Sequence, residues 1–549
     1  MSMKTVPEKY RELLKRHAEE HLLPAAGRWR REMNINRATA GWPAAYLATV
    51  DLGFEGLYGS RELLDFAVAC GDHFYRTFVR DGRTSRPPEH FSTTFFVDLY
   101  GQMRDLLTPA RRRRWEEAVL THCQALADTI QIKFSAPTSG RTALEIGCGP
   151  NHVYLWCAML YRGGMVLGRP DFRRLASWAM GKLLEGQHPE GYHPEHRGPV
   201  LQYHTITSSG LATYYDLSRD PRCLEPLRRA AGFYCRTIYP DLSPIEVFDE
   251  RSRWHPNYAF GAHGSLCQIP MGRRYIDLAL DRMLNRKRRD DHRGGVGIGW
   301  LLRGLLNYQD GPHRPLPCEN PEMLVRLDRA GLIRRTGPWF HALSAFCNEP
   351  WEYNPYILDR IQHLSCWHEK TGLIVGGGND KGVPEMATFY SVENGEVGYY
   401  RPRRGRIVAG REGDRVELDY GPIRAALTLR VVDGSRVQLT ADLNHWVLYL
   451  KPTFNLELQL AAGEQVTLAA GRTVRLPRAT SAARNYPTGG LLRTDRWELR
   501  GPADMRLRWP HVPHKVRAHQ RRHVDGAVGI LTVPFPDAGG RLEVQLRVL

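Results

Sequence analysis

The chain has 549 residues, which is more than one compact core usually organises, so we expect two large domains or three small ones. Hydrophobic residues make up 42% of it and aromatic residues 10%, which are globular values and exclude a chain that is disordered throughout. The formal net charge of +17 indicates an anionic partner, either nucleic acid or an acidic polysaccharide, although a general preference for arginine would give the same balance.

The N-terminal residues 1–20 are charged and have helical periodicity, without the apolar region of a secretory signal. No run of 18 apolar residues occurs, which argues against a membrane-spanning helix. The ten cysteines are scattered without a C-x-x-C pair, as is typical of reduced thiols in a core. We therefore expect a cytoplasmic protein, although a secreted or periplasmic chain trimmed of its leader would look the same.

From Glu8 to about Tyr308, apolar residues recur at helical spacing between Gly, Pro and Asp loops. About a dozen antiparallel helices can form a bundle, a solenoid or a closed double ring of helical hairpins. No fixed-length repeat is evident, which disfavours a regular solenoid array. The predicted helices are Lys9–His21, Arg37–Leu52, Arg61–Phe78, Thr93–Leu107, Pro109–Ile130, His152–Tyr161, Asp171–Leu184, Val200–Tyr215, Pro221–Tyr239, Arg273–Leu284 and Val296–Asn307.

The pattern changes near Pro338. From about Arg360 onward, short alternating runs such as Leu364–His368 and Ala425–Val432 are separated by Asp-Gly, Gly-Gly and Glu-Gly turns. No helix-length pattern intervenes, so this part is predicted to be an antiparallel all-β sandwich. The predicted organisation is a helical domain over residues 1–310, a linker over 311–339 and a β-sandwich over 340–549.

Two stretches of the chain are rich in glycine, and we predict that neither is a nucleotide-binding loop. Ala143–Pro150 resembles the nucleotide loop of S-adenosylmethionine-dependent methyltransferases, but that fold requires alternating strands and helices, and here helix follows helix. We therefore favour a loop that leads into a helix. The stretch Gly376–Asp380 lies between strand patterns and no helix follows it, so it is predicted to be a β-turn or bulge.

Three polar and aromatic patches interrupt the periodic pattern, and we expect them to converge on one cleft. The first is Asn151-His152 with Tyr154, for which a helix N-cap is the structural alternative. The second is Tyr192–His204, where three histidines leave metal binding or plain aromatic packing open. The third is Asp249–Tyr258, which an ion-pair knot would also explain. His341 stands apart at the predicted domain junction, where it is either a packing residue or a cleft residue.

A helical domain followed by a β-sandwich resembles the heparinase II/III-like polysaccharide lyases and their chondroitin, hyaluronan and alginate lyase relatives. The likeness in motifs is carried by Asn151-His152, by the stretch from Glu190-Gly191-Tyr192 to Tyr203-His204, and by His341. The resemblance implies an α+β multidomain fold, an N-terminal (α/α) toroid followed by a C-terminal antiparallel β-sandwich. In that family an asparagine neutralises a uronate carboxylate, a tyrosine acts as acid or as acid and base, and a histidine serves as base. It implies these roles for Asn151 and Tyr203, with His152, His204 and His341 all eligible as the base.

The implied reaction is β-elimination, in which the C5 proton of a uronic acid is removed and the 4-O-glycosidic oxygen leaves. Donors that bind the developing negative charge more strongly than the ground state suit this reaction, and it requires no metal or organic cofactor. An acidic polysaccharide is the expected partner, and neither nucleic acid nor a membrane is expected. The residues predicted to bind it are Arg197, Glu250, Arg251, Trp254 and His255.

Two alternatives stay open at this stage. An α/α-barrel glycoside hydrolase, such as an unsaturated uronyl hydrolase, would use Asp249 or Glu250 with a second carboxylate such as Glu190 or Glu195. A non-catalytic protein that binds anionic glycans would rely on the positive charge alone. Absorbance discriminates between the enzymes, because a lyase creates a conjugated double bond and a hydrolase does not.

Overall fold

The computed structural model describes most of the chain and divides it into two compact units, which we call the helical unit and the β unit. The helical unit comprises Met1–Glu195, Tyr203–Cys235 and Tyr258–Leu316, and the β unit comprises His196–Gln202, Arg236–Asn257 and Pro317–Leu549. The residues described are 4–80, 90–135, 150–195, 198–249, 260–285, 294–328, 330–347, 360–379, 384–393, 396–421, 423–444, 450–478, 483–511, 527–536 and 540–549.

Helices account for most of the helical unit. Each of the eleven predicted helices coincides with one or more of them. The helices are α1 (Val6–His17), α2 (Leu23–Arg31), α3 (Ile35–Ala38), α4 (Gly41–Thr49), α5 (Arg61–Tyr75), α6 (His90–Met103), α7 (Pro109–Ser135), α8 (Pro150–Val166), α9 (Pro170–Glu185), α10 (Leu201–Ser218), α11 (Leu224–Arg236), α12 (His263–Leu266), α13 (Pro270–Asn285) and α14 (Gly294–Asn307).

Local chemistry explains where α1 begins. The Thr5 side chain accepts a hydrogen bond from the Glu8 amide, and the Glu8 carboxylate accepts one from the Thr5 amide at 2.6 Å, which together form a capping box. Apolar residues such as Tyr10 and Leu14 line one buried face of the helix. The amphipathic pattern therefore sets both the extent of α1 and the face that it packs.

The helical layer closes on itself, because the first helix packs against the last two. Lys9 on α1 donates to Asp277 at 2.7 Å and to Asp281 at 2.6 Å, both on α13. Arg16 donates to the Met283 and Leu284 carbonyls at the end of α13, at 3.1 Å each. These contacts join residues more than 260 positions apart in sequence. A closed ring of helices is the outcome expected of a toroid.

The β unit contains two antiparallel sheets. One sheet has the order β1-β2-β3-β4-β5-β12-β19-β18-β15, with β6 beside β12 and β7 beside β6, and the other has the order β14-β13-β16-β17-β20-β11-β10-β9-β8. We call them sheet I and sheet II. The strands are β1 (Glu322–Leu327), β2 (Gly331–Thr336), β3 (Trp339–Ser344), β4 (Leu364–His368), β5 (Gly372–Val375), β6 (Phe389–Glu393), β7 (Glu396–Val397), β8 (Arg404–Val408), β9 (Asp414–Asp419), β10 (Arg424–Asp433), β11 (Arg436–Asn444), β12 (Leu450–Leu458), β13 (Gln465–Leu468), β14 (Thr473–Arg475), β15 (Arg484–Pro487), β16 (Leu491–Arg493), β17 (Trp497–Arg500), β18 (Arg506–His511), β19 (Val528–Pro534) and β20 (Gly540–Val548).

The two sheets enclose one apolar core. Side chains alternate along each strand, so Trp339 and Leu343 on β3 share this core with Leu427 and Leu429 on β10. On the other face of sheet I, the Phe340 ring packs against Tyr239 from the segment that precedes β1 in the chain, with ring centroids 5.3 Å apart. Sheet I is therefore covered on both faces over this region.

The structure differs from the predicted boundaries in the segment 311–339. That segment is not only a linker, since it contains β1 and β2, which pair along their whole length and continue sheet I through β3. The predicted strand Trp446–Leu450 lies outside the described residues except for Leu450, where β12 begins. Among the described helices, none is long and apolar enough to span a lipid bilayer.

Candidate active site

The first turn of α10 holds two predicted site residues side by side. Successive residues on a helix point about 100° apart, so neighbours in sequence occupy different environments. Tyr203 is partly exposed, whereas the next residue, His204, is only 2% exposed. A side chain that acts on a sugar must reach it from the surface. The local geometry therefore favours the tyrosine of this pair.

His204 is held inside the helical unit. Its Nε2 lies 2.9 Å from the Ala230 carbonyl oxygen, and because a carbonyl only accepts, Nε2 carries the hydrogen. Its ring packs edge-on against Phe233 at a centroid distance of 5.1 Å. Burial lowers the pKa of His204 to about 4, although the bond to the carbonyl opposes this shift. His204 is thus a neutral imidazole that anchors α10 against α11.

Asn151 and His152 lie in the first turn of α8. Pro150 begins this helix, so Asn151 is inside the turn and is not the N-cap that the structural alternative required. Its backbone amide donates to the Glu195 carboxylate at 3.4 Å, and its side-chain oxygen is buried without a hydrogen-bond partner in the part of the chain that the structure describes. His152 is partly exposed and packs edge-on against Trp156 with centroids 6.3 Å apart.

His193, from the same patch as Tyr203, is a packed aromatic residue. It is buried and lies edge-on against Tyr154, with ring centroids 4.7 Å apart. Burial, together with the nearby His204 and Arg229, holds the pKa of His193 well below its ordinary value. Within the described ranges, no group of three or more His, Cys, Asp or Glu side chains is arranged to hold a metal ion, and His196 lies outside those ranges.

Asp249 caps the start of α10 within the β unit. Its carboxylate accepts a hydrogen bond from the Gln202 amide at 3.0 Å, and the residue is fully buried. A carboxylate at a helix N-terminus satisfies an amide that the helix itself leaves unpaired, and it interacts favourably with the helix dipole. This position explains Asp249 structurally. A glycosidase acid would have to meet the glycosidic oxygen, so the location argues against Asp249 as that acid, whereas Glu250, the other candidate, lies outside the described residues.

Two side chains of the β unit hold the segment before α10 and the segment that carries Asp249. Arg360, itself buried, donates to the Phe248 carbonyl at 2.7 Å and to the Pro199 carbonyl at 3.0 Å. Asn379 donates to the Asp249 carbonyl at 2.7 Å. The two bonds from the Arg360 guanidinium are charge-assisted, and bonds of this kind are strong and directional. The backbone that leads into Tyr203 is therefore held in place by residues from the sandwich.

Sequence reasoning missed Arg360 and Asn379 as positioning residues. Arg360 contacts carbonyls that are 112 and 161 positions away in sequence, which no local pattern reveals. The only available signal was the glycine-rich stretch before Asn379. Gly376 and Gly378 there adopt positive φ angles of 112° and 115°, which only glycine tolerates well.

A buried carboxylate lies against the outer face of sheet I. Glu246 accepts hydrogen bonds from the Tyr239 hydroxyl at 2.9 Å and from the Ser365 hydroxyl at 2.7 Å. Burial raises the pKa of Glu246 to about 7, although both hydroxyls oppose the shift. A Cβ atom on Gly376 would lie 2.5 Å from the Glu246 carboxylate, so this approach requires glycine. Glu246 ties the segment before Asp249 to the sheet.

His341 faces the core of the sandwich, as its alternative as a packing residue requires. Alternation along β3 directs it inward with Trp339 and Leu343. Its Nε2 donates to Asp414 at 2.8 Å, and its Nδ1 is buried without a hydrogen-bond partner among the described residues. Arg334 forms two further bonds to the same carboxylate, at 2.6 and 2.9 Å. His341 belongs to an internal ion-pair network of the β unit, away from its surface.

Comparisons with known proteins give a clear result for the fold. No family model matches the chain, and no curated protein matches it. Among solved structures, the chondroitin AC lyase of Streptomyces coelicolor A3, determined in complex with chondroitin sulphate, matches with a TM-score of 0.57. It is 14% identical, and the match covers 97% of this chain and 79% of that chain. The chain has the fold of the polysaccharide lyases.

This match confirms the predicted fold class, a helical toroid followed by an antiparallel β-sandwich. The heparan sulfate lyase HepC from Pedobacter heparinus also aligns, with a TM-score of 0.47, 10% identity, and coverage of 93% of this chain and 76% of that one. A heparinase III structure aligns with a TM-score of 0.45, 11% identity, and coverage of 99% and 92%.

Within this lyase fold, the predicted residues fall into three groups. Tyr203 and His152 are partly exposed in the first turns of α10 and α8, while Asn151 is buried beside His152. His204 and His341 are buried in packed interiors. The five predicted substrate-binding residues lie outside the described residues: Arg197, Glu250, Arg251, Trp254 and His255.

Proposed function

We propose that this protein is a lyase that cleaves a uronate-containing polysaccharide by β-elimination. The observation that carries the proposal is the partly exposed Tyr203 in the first turn of α10, in a chain with a polysaccharide-lyase fold. The segments that flank this turn are held by Arg360 and Asn379. A fixed phenol suits an acid that must meet one glycosidic oxygen, because catalysis depends on holding the reacting groups in place.

The chemistry assigns a step to each residue. Removal of the C5 proton leaves negative charge beside an ionised carboxylate, so the site must supply donors that bind this charge. Asn151 takes the neutralising role that the resemblance implies, through its side-chain amide, since its backbone amide is bonded to Glu195. It lies in the first turn of α8, where the helix N-terminus adds partial positive charge. Tyr203 gives its proton to the 4-O oxygen as that oxygen leaves, and an ordinary tyrosine is protonated at neutral pH.

We assign the base to His152. It is the partly exposed member of the three histidines that sequence analysis left eligible, and it adjoins Asn151 at the start of α8. A histidine with an ordinary pKa of about 6.5 is largely neutral at pH 7.5 and can accept a proton without activation. His204 and His341 would have to accept the C5 proton through a nitrogen buried in protein.

The substrate class follows from charge. The net charge of +17 favours an anionic polymer, and the structurally similar lyase from Streptomyces coelicolor was determined with chondroitin sulphate. Glycosaminoglycans are therefore the first substrates to test, followed by alginate and pectin. A rise in ultraviolet absorbance reports the conjugated double bond of the product. New reducing ends without that absorbance would indicate a hydrolase and refute the proposal.

The role of Tyr203 is tested by Tyr203→Phe, which removes one oxygen atom. General acid catalysis contributes on the order of 10²–10⁴ in rate, so kcat should fall by that factor while folding and polymer binding are retained. Tyr215→Phe is a matched control, because Tyr215 is also partly exposed on α10. Undiminished turnover by the Tyr203 variant would remove this residue from the mechanism.

A further inference from the structure

A groove of about 580 Å³ lies on sheet II, over strands β8 to β11 and the start of β20. The segment of the β unit that carries Glu246 and Asp249 packs against sheet I instead, as the contacts of Tyr239 with Phe340 and of Glu246 with Ser365 show. Within the β unit, the groove and those residues therefore belong to different sheets.

The groove is built from rows of side chains that the strand register places side by side on the outer face. One row runs Arg404, Asp419, Arg424 and Asn444 across β8, β9, β10 and β11. In the row beside it, Ala426 is 5% exposed, although alternation along β10 turns it away from the core residues Ala425 and Leu427. Because the side chain of Ala426 is only a methyl group and its neighbours are longer, a hollow remains at this position.

The row next to it has an acidic residue on each side of Ala426 and an arginine at each end. It runs Arg406, Glu417, Ala426, Asp442 and Arg541 across β8, β9, β10, β11 and β20. Ion pairs within this row, together with one from Arg415 outside it, hold its side chains. Asp442 accepts a hydrogen bond from Arg541 at 2.8 Å and one from Arg415 at 2.7 Å, and Glu417 is bonded to Arg406.

The two arginines of the first row remain available to bind an anionic group. Arg404 and Arg424 are both exposed, and neither forms an ion pair with a carboxylate among the described residues. A guanidinium offers planar paired donors that match a carboxylate or a sulfate. Asp419 lies opposite both arginines in the register and Asn444 lies beside Arg424, so acceptors alternate with the cationic donors.

We propose that this groove is a second, non-catalytic binding site for an acidic oligosaccharide. A simple anion would need only the donors, whereas a sugar chain presents hydroxyl groups to Asp419 and Asn444 as well as an acidic group to the arginines. The inference goes beyond the proposed function, because it concerns binding on a sheet that carries none of the proposed catalytic residues. A lyase with such a site would hold a long polymer at a second point, which raises the effective concentration of that polymer at the catalytic site.

The test is calorimetric binding to the full chain in a Tyr203→Phe background, with chondroitin sulphate and unsulfated hyaluronan oligosaccharides as probes. The variant Arg404→Ala/Arg424→Ala should weaken one of two binding events by about tenfold or more, since each arginine loses a charge-assisted bond. Ala426→Tyr fills the hollow and should remove the same event. Loss with both probes indicates carboxylate recognition, and loss with chondroitin sulphate alone indicates sulfate recognition.

The matched control is Arg475→Ala/Arg493→Ala. These arginines are exposed at the opposite end of sheet II, on β14 and β16, and their removal changes the net charge equally. Equal weakening by both double variants would show general attraction to a cationic surface and overturn the proposal. Unchanged binding in the groove variants, or equal binding of a neutral maltooligosaccharide, would also overturn it. Absorbance assays of the unsubstituted chain test the lyase activity separately.

Discussion

Replacing Asp414 with asparagine tests whether the His341 network stabilises the sandwich or takes part in catalysis. The hydrogen bonds from His341 and Arg334 outweigh the effect of burial and lower the pKa of Asp414 from 3.8 to about 2. At about 1.4 kcal/mol per pKa unit, the ionised carboxylate contributes about 2 kcal/mol to the free energy of unfolding at neutral pH. The substitution also leaves donors in the core without their charged partner, so we expect a loss of about 2 to 3 kcal/mol.

The pH dependence of this loss has a definite sign. The folded-state pKa lies below the unfolded value, so the stabilisation is present above about pH 4 and is lost as the pH falls from 3.8 towards 2. Unfolding Asp414→Asn and the original protein with denaturant at several values between pH 3 and pH 7 measures how the difference in unfolding free energy changes with pH. Asp433→Asn is a control, since Asp433 pairs with Arg436 at the surface and exposed pairs contribute little.

Two results would refute this reasoning. The first is a stability difference between Asp414→Asn and the original protein that is the same at pH 3 and pH 7. The second is a large loss of kcat for β-elimination at a temperature where the variant is fully folded. That outcome would mean that His341 and Asp414 act on the substrate, in conflict with the position of His341 between the sheets.

Two further predictions concern stability. The folded-state pKa of Glu246 is about 7 against an ordinary 4.5, so this residue should cost about 3 kcal/mol of stability as the pH rises from 4.5 through 7 and beyond. Glu246→Gln should flatten that part of the plot of unfolding free energy against pH. Parallel plots for the variant and the original protein would contradict this prediction. Gly377→Ala would place a Cβ atom 2.0 Å from the Glu457 carboxylate and should destabilise the protein by about 1–3 kcal/mol. Gly232→Ala on α11 meets nothing within 4 Å and should instead stabilise it by about 0.5–1 kcal/mol. Equal thermal shifts for the two alanine variants would refute this contrast.

The positions of the site residues separate what local pattern predicts from what it leaves open. The pattern indicated that Tyr203 lies near the start of a helix, and α10 indeed begins at Leu201. It could not distinguish the exposure of Tyr203 from that of His204. Exposure depends on which neighbouring helix covers each face, and α11 covers His204 through Ala230 and Phe233.

His341 illustrates the same limit in a strand. The run Trp339–Ser344 reads as a strand, but every residue in it is buried, so hydrophobicity does not reveal which face meets the core. The partner that decides this is Asp414, which is 73 positions away in sequence. The strands β1 and β2 lie in the segment that was predicted to be a linker. They join sheet I only because β2 pairs with β1 and with β3.

The sequence by itself determined the order of helices and strands and the change from one class to the other, because both follow from hydrophobic periods of 3.6 and 2 residues over short windows. It also contained the residues whose resemblance indicated the fold. Tertiary structure alone decided which histidine is exposed, that Asp249 caps Gln202, and that Arg360 holds the carbonyls at 199 and 248. These contacts join residues between 47 and 161 positions apart, and such pairs form only when distant segments pack together.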